Sequence, residues 1–176
     1  MVIFGEAITY GDDISTDLLY PGRYTYHLLS NEQMGEHALE DLDPSFARRD
    51  VTGHILVAGK NFGCGSAREQ AVKCIKQKGI TAIVAVSISR IFYRNCINEG
   101  LLPIICPDAV VSIKSGDRID IDVDNGVLRV CGQNYSFAKF PPFVMDILHC
   151  GGLIASVRQK IDESKYRRNT HATGGY

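Results

Sequence analysis

Three short apolar runs, separated by glycine-closed helical segments, constrain this chain more than any other feature. His54-Ile-Leu-Val-Ala58, Ile80-Thr-Ala-Ile-Val-Ala-Val86 and Leu101-Leu-Pro-Ile-Ile-Cys106 are short and rich in β-branched residues, so they read as buried strands. The segment that runs to Lys78 ends at Gly79, and the one from Ser89 to Glu99 ends at Gly100, both in the position of a C-terminal cap. Strand, helix, strand, helix, strand over 54–106 predicts parallel pairing with crossover helices, hence an α/β fold.

The flanking segments follow other patterns. Val2 to Tyr10 predicts a first strand, and Asp12 to Pro21 a structured loop braced by short polar side chains. A helix is expected over Asn31–Ala38, with Ser30 or Asn31 near its start. Ile119, Ile121 and Val123 alternate with aspartates before Asn125-Gly126 turns the chain into Val127–Val130, a hairpin signal. A last helix around Phe143–Ile161 carries Gly151-Gly152 and is expected to break there. Residues 1–161 are expected to form a single domain, and 162–176 a tail that is disordered or ordered only at an interface.

Composition excludes several classes of function. A chain of 176 residues can bury a core without disulfides, and 19 basic against 20 acidic side chains argue against a nucleic-acid or membrane-surface binder. No apolar run reaches the ~18 residues of a membrane span, and the first residues lack a signal peptide's pattern, so a cytoplasmic location is expected. The six cysteines (64, 74, 96, 106, 131 and 150) include no CxxC pair, and the five histidines are scattered. The chain is therefore expected to bind no metal of its own, with most cysteines serving as small buried hydrophobes.

The densest information lies in Gly59-Lys-Asn-Phe-Gly-Cys-Gly-Ser-Ala-Arg-Glu-Gln70, placed after a buried strand and opening a helix. It lacks the Gly-Lys-Ser/Thr ending of a P-loop, the third glycine of a dinucleotide fingerprint and the Gly-x-Ser-x-Gly elbow of a hydrolase. Two readings stand side by side. Ser66-Ala-Arg-Glu69 fits a capping box, with the Ser66 hydroxyl and the Glu69 carboxylate each satisfying an orphan backbone N–H. Alternatively, glycines 63 and 65 allow close backbone approach and Arg68 offers a planar fork to a carboxylate, which together make an anion site.

Asn61-Phe-Gly-Cys-Gly-Ser-Ala-Arg-Glu-Gln-Ala71 closely resembles the signature of the small subunits of the aconitase superfamily. So do Gly11-Asp-Asp-Ile-Ser-Thr-Asp17 with Pro21-Gly22, and Ser89-Arg-Ile-Phe-Tyr-Arg-Asn-Cys-Ile-Asn98 with Gly100-Leu-Leu-Pro-Ile. The order and spacing are similar to those of 3-isopropylmalate dehydratase and homoaconitase small subunits over roughly residues 5–160. The resemblance implies a three-layer swivelling β/β/α domain with a partly parallel sheet and a C-terminal hairpin. It also implies a hydro-lyase that is active only with a large subunit, in a heterodimer or heterotetramer. That partner would carry a [4Fe–4S] cluster, and the substrate would be a small dicarboxylate.

Residue by residue, the resemblance implies Ser66 as the catalytic base and Arg68 as the grip on a substrate carboxylate, with Gly65 and Ala67 lining the same turn. The family more often has Ser-Ser-Arg where this chain has Ser66-Ala67-Arg68, which removes one hydroxyl donor. Tyr24, Thr25 and Tyr26 match the family's substrate-selecting loop, and Tyr26 stands where homoaconitases place an arginine. A buried carboxylate without a cationic partner is costly, so Tyr26 points to an uncharged γ-substituent. Arg23, three positions before, could reach back. The substrates in view are isopropylmalate, 2,3-dimethylmalate and a tricarboxylate such as homoaconitate. A carboxylate-binding regulatory module and a self-sufficient zinc or thiol enzyme are the competing classes.

Two further features read as structural. Asp120-x-Asp122-x-Asp124-Asn-Gly126 has the wrong glycine position for a calcium loop, and Asp12, Asp13 and Asp17 read as loop braces.

Overall fold

The computed structural model describes the backbone of residues 1–172 and the side chains of residues 1–163. Its strands are β1 Val2–Thr9, β2 Ile55–Ala58, β3 Ala82–Ala85, β4 Leu102–Ile105, β5 Arg118–Asp122, β6 Val127–Val130 and β7 Gln133–Ser136. Among the described residues they form one sheet in the order β4-β3-β2-β1-β5-β6-β7. The helices are α1 Thr16–Leu19, α2 Asn31–Glu36, α3 Gln70–Gln77, α4 Arg90–Glu99, α5 Pro107–Val110, α6 Pro142–His149 and α7 Leu153–Ala172.

One strand belongs to both halves of the sheet. Residues 7–9 of β1 pair in parallel with residues 55–57 of β2, while residues 2–6 pair antiparallel with residues 118–122 of β5. Gly5 lies beside that changeover, where a Cβ would stand 2.4 Å from the carbonyl oxygen of Gly53. Only glycine allows the chains to cross so closely.

The parallel strands are buried on both faces, which explains their continuous apolar sequences. Leu56, Ala58, Ile83 and Ala85 face a core shared with Val72 and Ile75 of α3 and Phe92 and Cys96 of α4. Their neighbours Ile55, Val57, Ala82 and Val84 face the other way, onto Ile119, Ile121, Leu128 and Val130 of the antiparallel half. The sheet therefore curls through β1 until its two halves stack, giving helices on parallel strands on antiparallel strands. This is the three-layer β/β/α arrangement expected above.

Local chemistry sets the ends of the elements. Ser30 caps α2 in a reciprocal capping box: its hydroxyl accepts from Gln33 N at 3.2 Å, and the Gln33 side chain accepts from Ser30 N at 2.9 Å. Gly100 closes α4 in a left-handed conformation with φ 73°. The expected break at Gly151-Gly152 separates α6 from α7.

The structure differs from expectation at three points here. The antiparallel half is a three-stranded meander, because Gln133–Ser136 adds β7 beyond the hairpin. That polar edge strand shows no apolar alternation, so nothing in its sequence marked it. Helix α3 begins at Gln70 rather than at Ser66. Helix α7 continues through residues 162–172, into the stretch expected to be a tail, and residues 173–176 lie outside the described residues. No helix among the described residues is long and apolar enough to cross a membrane.

Candidate active site

Three loops leave the C-terminal ends of neighbouring parallel strands and knit together: 10–20 after β1, 59–69 after β2 and 86–89 after β3. Ligands of open α/β sheets gather at such edges. The Ser15 and Cys64 backbones form a parallel bridge, as do those of Phe62 and Ile88. Gly63 N donates to Ile14 O at 2.8 Å, Thr16 N to Cys64 O at 2.8 Å, and Ser89 Oγ to Gly63 O at 2.6 Å.

The aspartates expected as braces act as such. Lys60 N donates to Asp12 Oδ1 at 2.7 Å, and Asn61 Nδ2 donates to Asp13 Oδ1 at 2.8 Å. Gly59 makes room for Asp12, whose Oδ1 would lie 1.8 Å from a Cβ there. Gly63 has φ 71° and lies against Phe92, where a Cβ would be 2.2 Å from the ring. Phe92 in turn packs edge-on to Phe62, their centroids 5.5 Å apart. The turn is thus anchored from beneath by a buried aromatic pair.

Ser66 is held by its backbone. Its carbonyl oxygen accepts from the Oγ1 of buried Thr16 at 3.0 Å and from Arg68 N at 2.8 Å. These two bonds, with Gly65 at φ 91°, carry the chain away from a helical path, so the capping box expected at Ser66–Glu69 does not form. The Ser66 side chain is exposed, and among the described residues no group hydrogen-bonds its Oγ. Gly65 and Ala67 on either side are also exposed.

Arg68 occupies the site differently. Its side chain is only 13% exposed; one terminal nitrogen donates to Thr25 Oγ1 at 3.0 Å and the other to Asp17 Oδ1 at 2.5 Å. Its Nε is buried without a hydrogen-bond partner among the described residues. A buried donor left unpaired costs about 1–3 kcal/mol, so any shift of the turn that brings this nitrogen an acceptor is favoured. Thr25, Asp17 and Arg68 thus meet across some 50 residues of sequence. Asp17 was expected only as a brace; it is also the counter-ion of the arginine.

The loop expected to select the substrate lies beside them. Gly22–Tyr24 forms a 3₁₀ turn, after which Tyr26 and Leu28 project almost fully exposed. Tyr24 stacks on His37 with centroids 3.9 Å apart and donates from its hydroxyl to Glu40 Oε1 at 3.0 Å. Arg23 does not reach back toward Tyr26. It makes a bidentate pair with Asp41, both distances 2.9 Å, and a further contact with Glu40. The structure therefore brings Thr25 onto Arg68 and ties Arg23 elsewhere. A cavity of about 280 Å³ lined by Tyr20, Tyr24, Thr25 and Lys73 lies alongside. A cavity of about 400 Å³ between Phe4 and Arg118 lies on the outer face of the antiparallel half, at the other end of β1.

The cysteines do not assemble a metal centre. Among the described residues no three His, Cys, Asp or Glu side chains could hold a metal ion together. Cys74, Cys96 and Cys106 are buried, and desolvation raises each of these thiols above the usual range. An iron–sulfur cluster does not fit the described residues of this chain.

Comparison with known proteins agrees with the motifs. The family model described as the aconitase C-terminal domain matches residues 17–109. A 3-isopropylmalate dehydratase small subunit from Moorella thermoacetica is 45% identical, covering 93% of this chain and 99% of its own. A 3-isopropylmalate dehydratase small subunit 1 from Thermotoga maritima is 47% identical, covering 87% of this chain and 93% of its own. The crystal structure of a 3-isopropylmalate dehydratase from Methanocaldococcus jannaschii superposes with a TM-score of 0.86 at 38% identity, covering 94% of this chain and 99% of that one.

Proposed function

The chain belongs to the aconitase superfamily, among the small subunits of 3-isopropylmalate dehydratase, and from that premise we propose that it contributes half of a hydro-lyase active site. It dehydrates and rehydrates a branched hydroxy dicarboxylate of the 3-isopropylmalate type, a step of leucine biosynthesis, in the cytoplasm. Ser66 takes the proton from the substrate carbon, and Arg68 binds a substrate carboxylate. A large partner subunit carries the [4Fe–4S] cluster and completes the enzyme.

The observation that supports this most directly is the contrast between two neighbouring side chains. Ser66 is locked at its carbonyl yet open at its hydroxyl, while Arg68 is largely buried with an unpartnered Nε. A serine alkoxide needs electrostatic support to exist at neutral pH, since the free hydroxyl is a very weak acid. Helix α3 starts too late to provide all of it, so the Arg68 guanidinium is the nearer source of positive charge. As substrate grip, the arginine matches a carboxylate with paired donors.

Tyr26 and Arg23 support an uncharged γ-substituent. Tyr26 stands exposed on the selecting loop without a charge, and Arg23 is engaged by two acids. A third substrate carboxylate would find no free cation on this loop. The test is reconstitution of this chain with a cluster-bearing large subunit, followed by assay of isopropylmalate, 2,3-dimethylmalate and homoaconitate. Turnover of isopropylmalate by the pair and by neither subunit alone is the expected result. Absence of any gain on mixing refutes the assignment.

A further inference from the structure

The selecting loop is held by one carboxylate that no sequence motif marked. Glu40 accepts from the Tyr24 hydroxyl at 3.0 Å, pairs with His37 Nδ1 at 2.6 Å and contacts the Arg23 guanidinium. Those partners also touch each other: His37 lies flat on the Tyr24 ring, and the Arg23 guanidinium sits 4.9 Å above the same ring. The three donors outweigh burial, which alone would raise the Glu40 carboxyl, and hold it below the usual glutamate value.

The backbone is shaped to deliver that carboxylate. Leu39, fully buried, adopts the left-handed conformation with φ 57°, where a leucine is rare and strained. Its N–H donates to Leu19 O at 3.0 Å, which fixes the reversal after α2 and turns Glu40 back under the Gly22–Tyr24 turn. The held turn leads directly to Thr25, which accepts from Arg68, and then to Tyr26.

We propose that Glu40 is the positioning residue of the substrate-selecting loop. It locks Arg23, Tyr24 and His37 into one cluster, so that Thr25 stays on Arg68 and Tyr26 stays where it meets the substrate's γ-substituent. This rests on the dehydratase reading for its kinetic consequence, although the clamp itself is a property of the isolated chain. Asp41 provides an internal control, because it binds Arg23 without touching Tyr24 or His37.

Two measurements decide the proposal. In the reconstituted pair, Glu40→Ala raises KM for the branched malate roughly tenfold and leaves kcat within about twofold, the pattern of lost uniform binding. Its preference for an apolar over a carboxylate γ-substituent falls as well. A merely structural role would reduce the active fraction, lowering apparent kcat and leaving KM alone. Glu40→Gln, which keeps an acceptor for Tyr24, lies between, and Asp41→Asn leaves KM within about twofold. In the isolated full chain, trypsin cuts after Arg23 roughly tenfold faster in Glu40→Ala than in wild type, because the turn opens locally. An unchanged KM, an equal KM shift in Asp41→Asn, or unchanged cleavage overturns the clamp. If the wild-type pair turns over none of the malates, the functional reading fails, and the proteolysis arm alone decides the clamp.

Discussion

Arg68 and Asp17 form an ion pair of 2.5 Å in which the arginine is mostly buried and the aspartate mostly exposed. The aspartate side can yield to solvent or to another carboxylate at little cost, whereas the guanidinium stays where Thr25 and the turn hold it. Arg68→Lys removes the fork that spans Thr25 and Asp17 together, since an ammonium is a point charge on a flexible stem. A loss of roughly 100-fold in kcat/KM is expected, mostly in KM, with the fold intact by circular dichroism.

Ser66→Ala separates chemistry from architecture. The residue is held through its carbonyl, and its Oγ hydrogen-bonds nothing among the described residues, so the turn should survive. Activity of the reconstituted pair should fall at least about a thousandfold, with melting temperature and partner affinity essentially unchanged. Thermal melts and a pull-down alongside the assay check this.

The glycines of the turn should not be equivalent. Gly63→Ala places a methyl 2.2 Å from the Phe92 ring at φ 71°, so clash and strain act together. About 3 kcal/mol of destabilisation is expected, or roughly 6–12 °C in Tm for a chain of this size. Gly65→Ala meets nothing closer than Thr16 Oγ1 at 3.4 Å, so backbone strain of about 1 kcal/mol dominates. Calorimetry of the two variants side by side measures the difference.

Tyr26→Arg probes selectivity directly. The side chain is 96% exposed, so stability should change by less than about 0.5 kcal/mol. Turnover of homoaconitate by the pair should rise relative to isopropylmalate. An unchanged ratio would show that the residue does not meet the γ-substituent.

Acid should loosen the loop around Tyr24 before it unfolds the sheet. Burial opposes ionisation of Glu40 and Asp43, but hydrogen bonds from their partners win, leaving both below their ordinary values of 4.5 and 3.8. A depressed carboxyl contributes stability that is present above its unfolded pKa and lost as pH falls through its folded one. Urea midpoints should therefore drop as pH is lowered below those ordinary values, and Glu40→Gln should flatten that dependence.

Much of this molecule was legible because it is local. The β-branched runs at 55–58, 82–85 and 102–105 have no polar face to offer water, so burial on both sides of a parallel sheet was their available solution. The glycines at 63 and 65 marked a turn because few other residues tolerate a left-handed backbone there. The polar edge strand β7 carried no such mark, since its place depends on β6 beside it rather than on its own side chains. The Ser66 capping box misled for the same reason: its spacing was correct, but Thr16, fifty residues earlier, claims the carbonyl and redirects the chain.

By itself the sequence determined the α/β alternation and the position of the turn, which follow from periodicity and glycine placement. The three layers and the choice of Ser66 and Arg68 as site residues were what the resemblance to the family implied. Only the tertiary structure decided which charges are paired. Arg68 meets Asp17 and Thr25, Arg23 is drawn off by Asp41 and Glu40, and β1 divides its pairing between two halves of one sheet. Each of these joins residues distant in the chain, where hydrogen bonding and burial depend on how the layers close rather than on any neighbour in sequence.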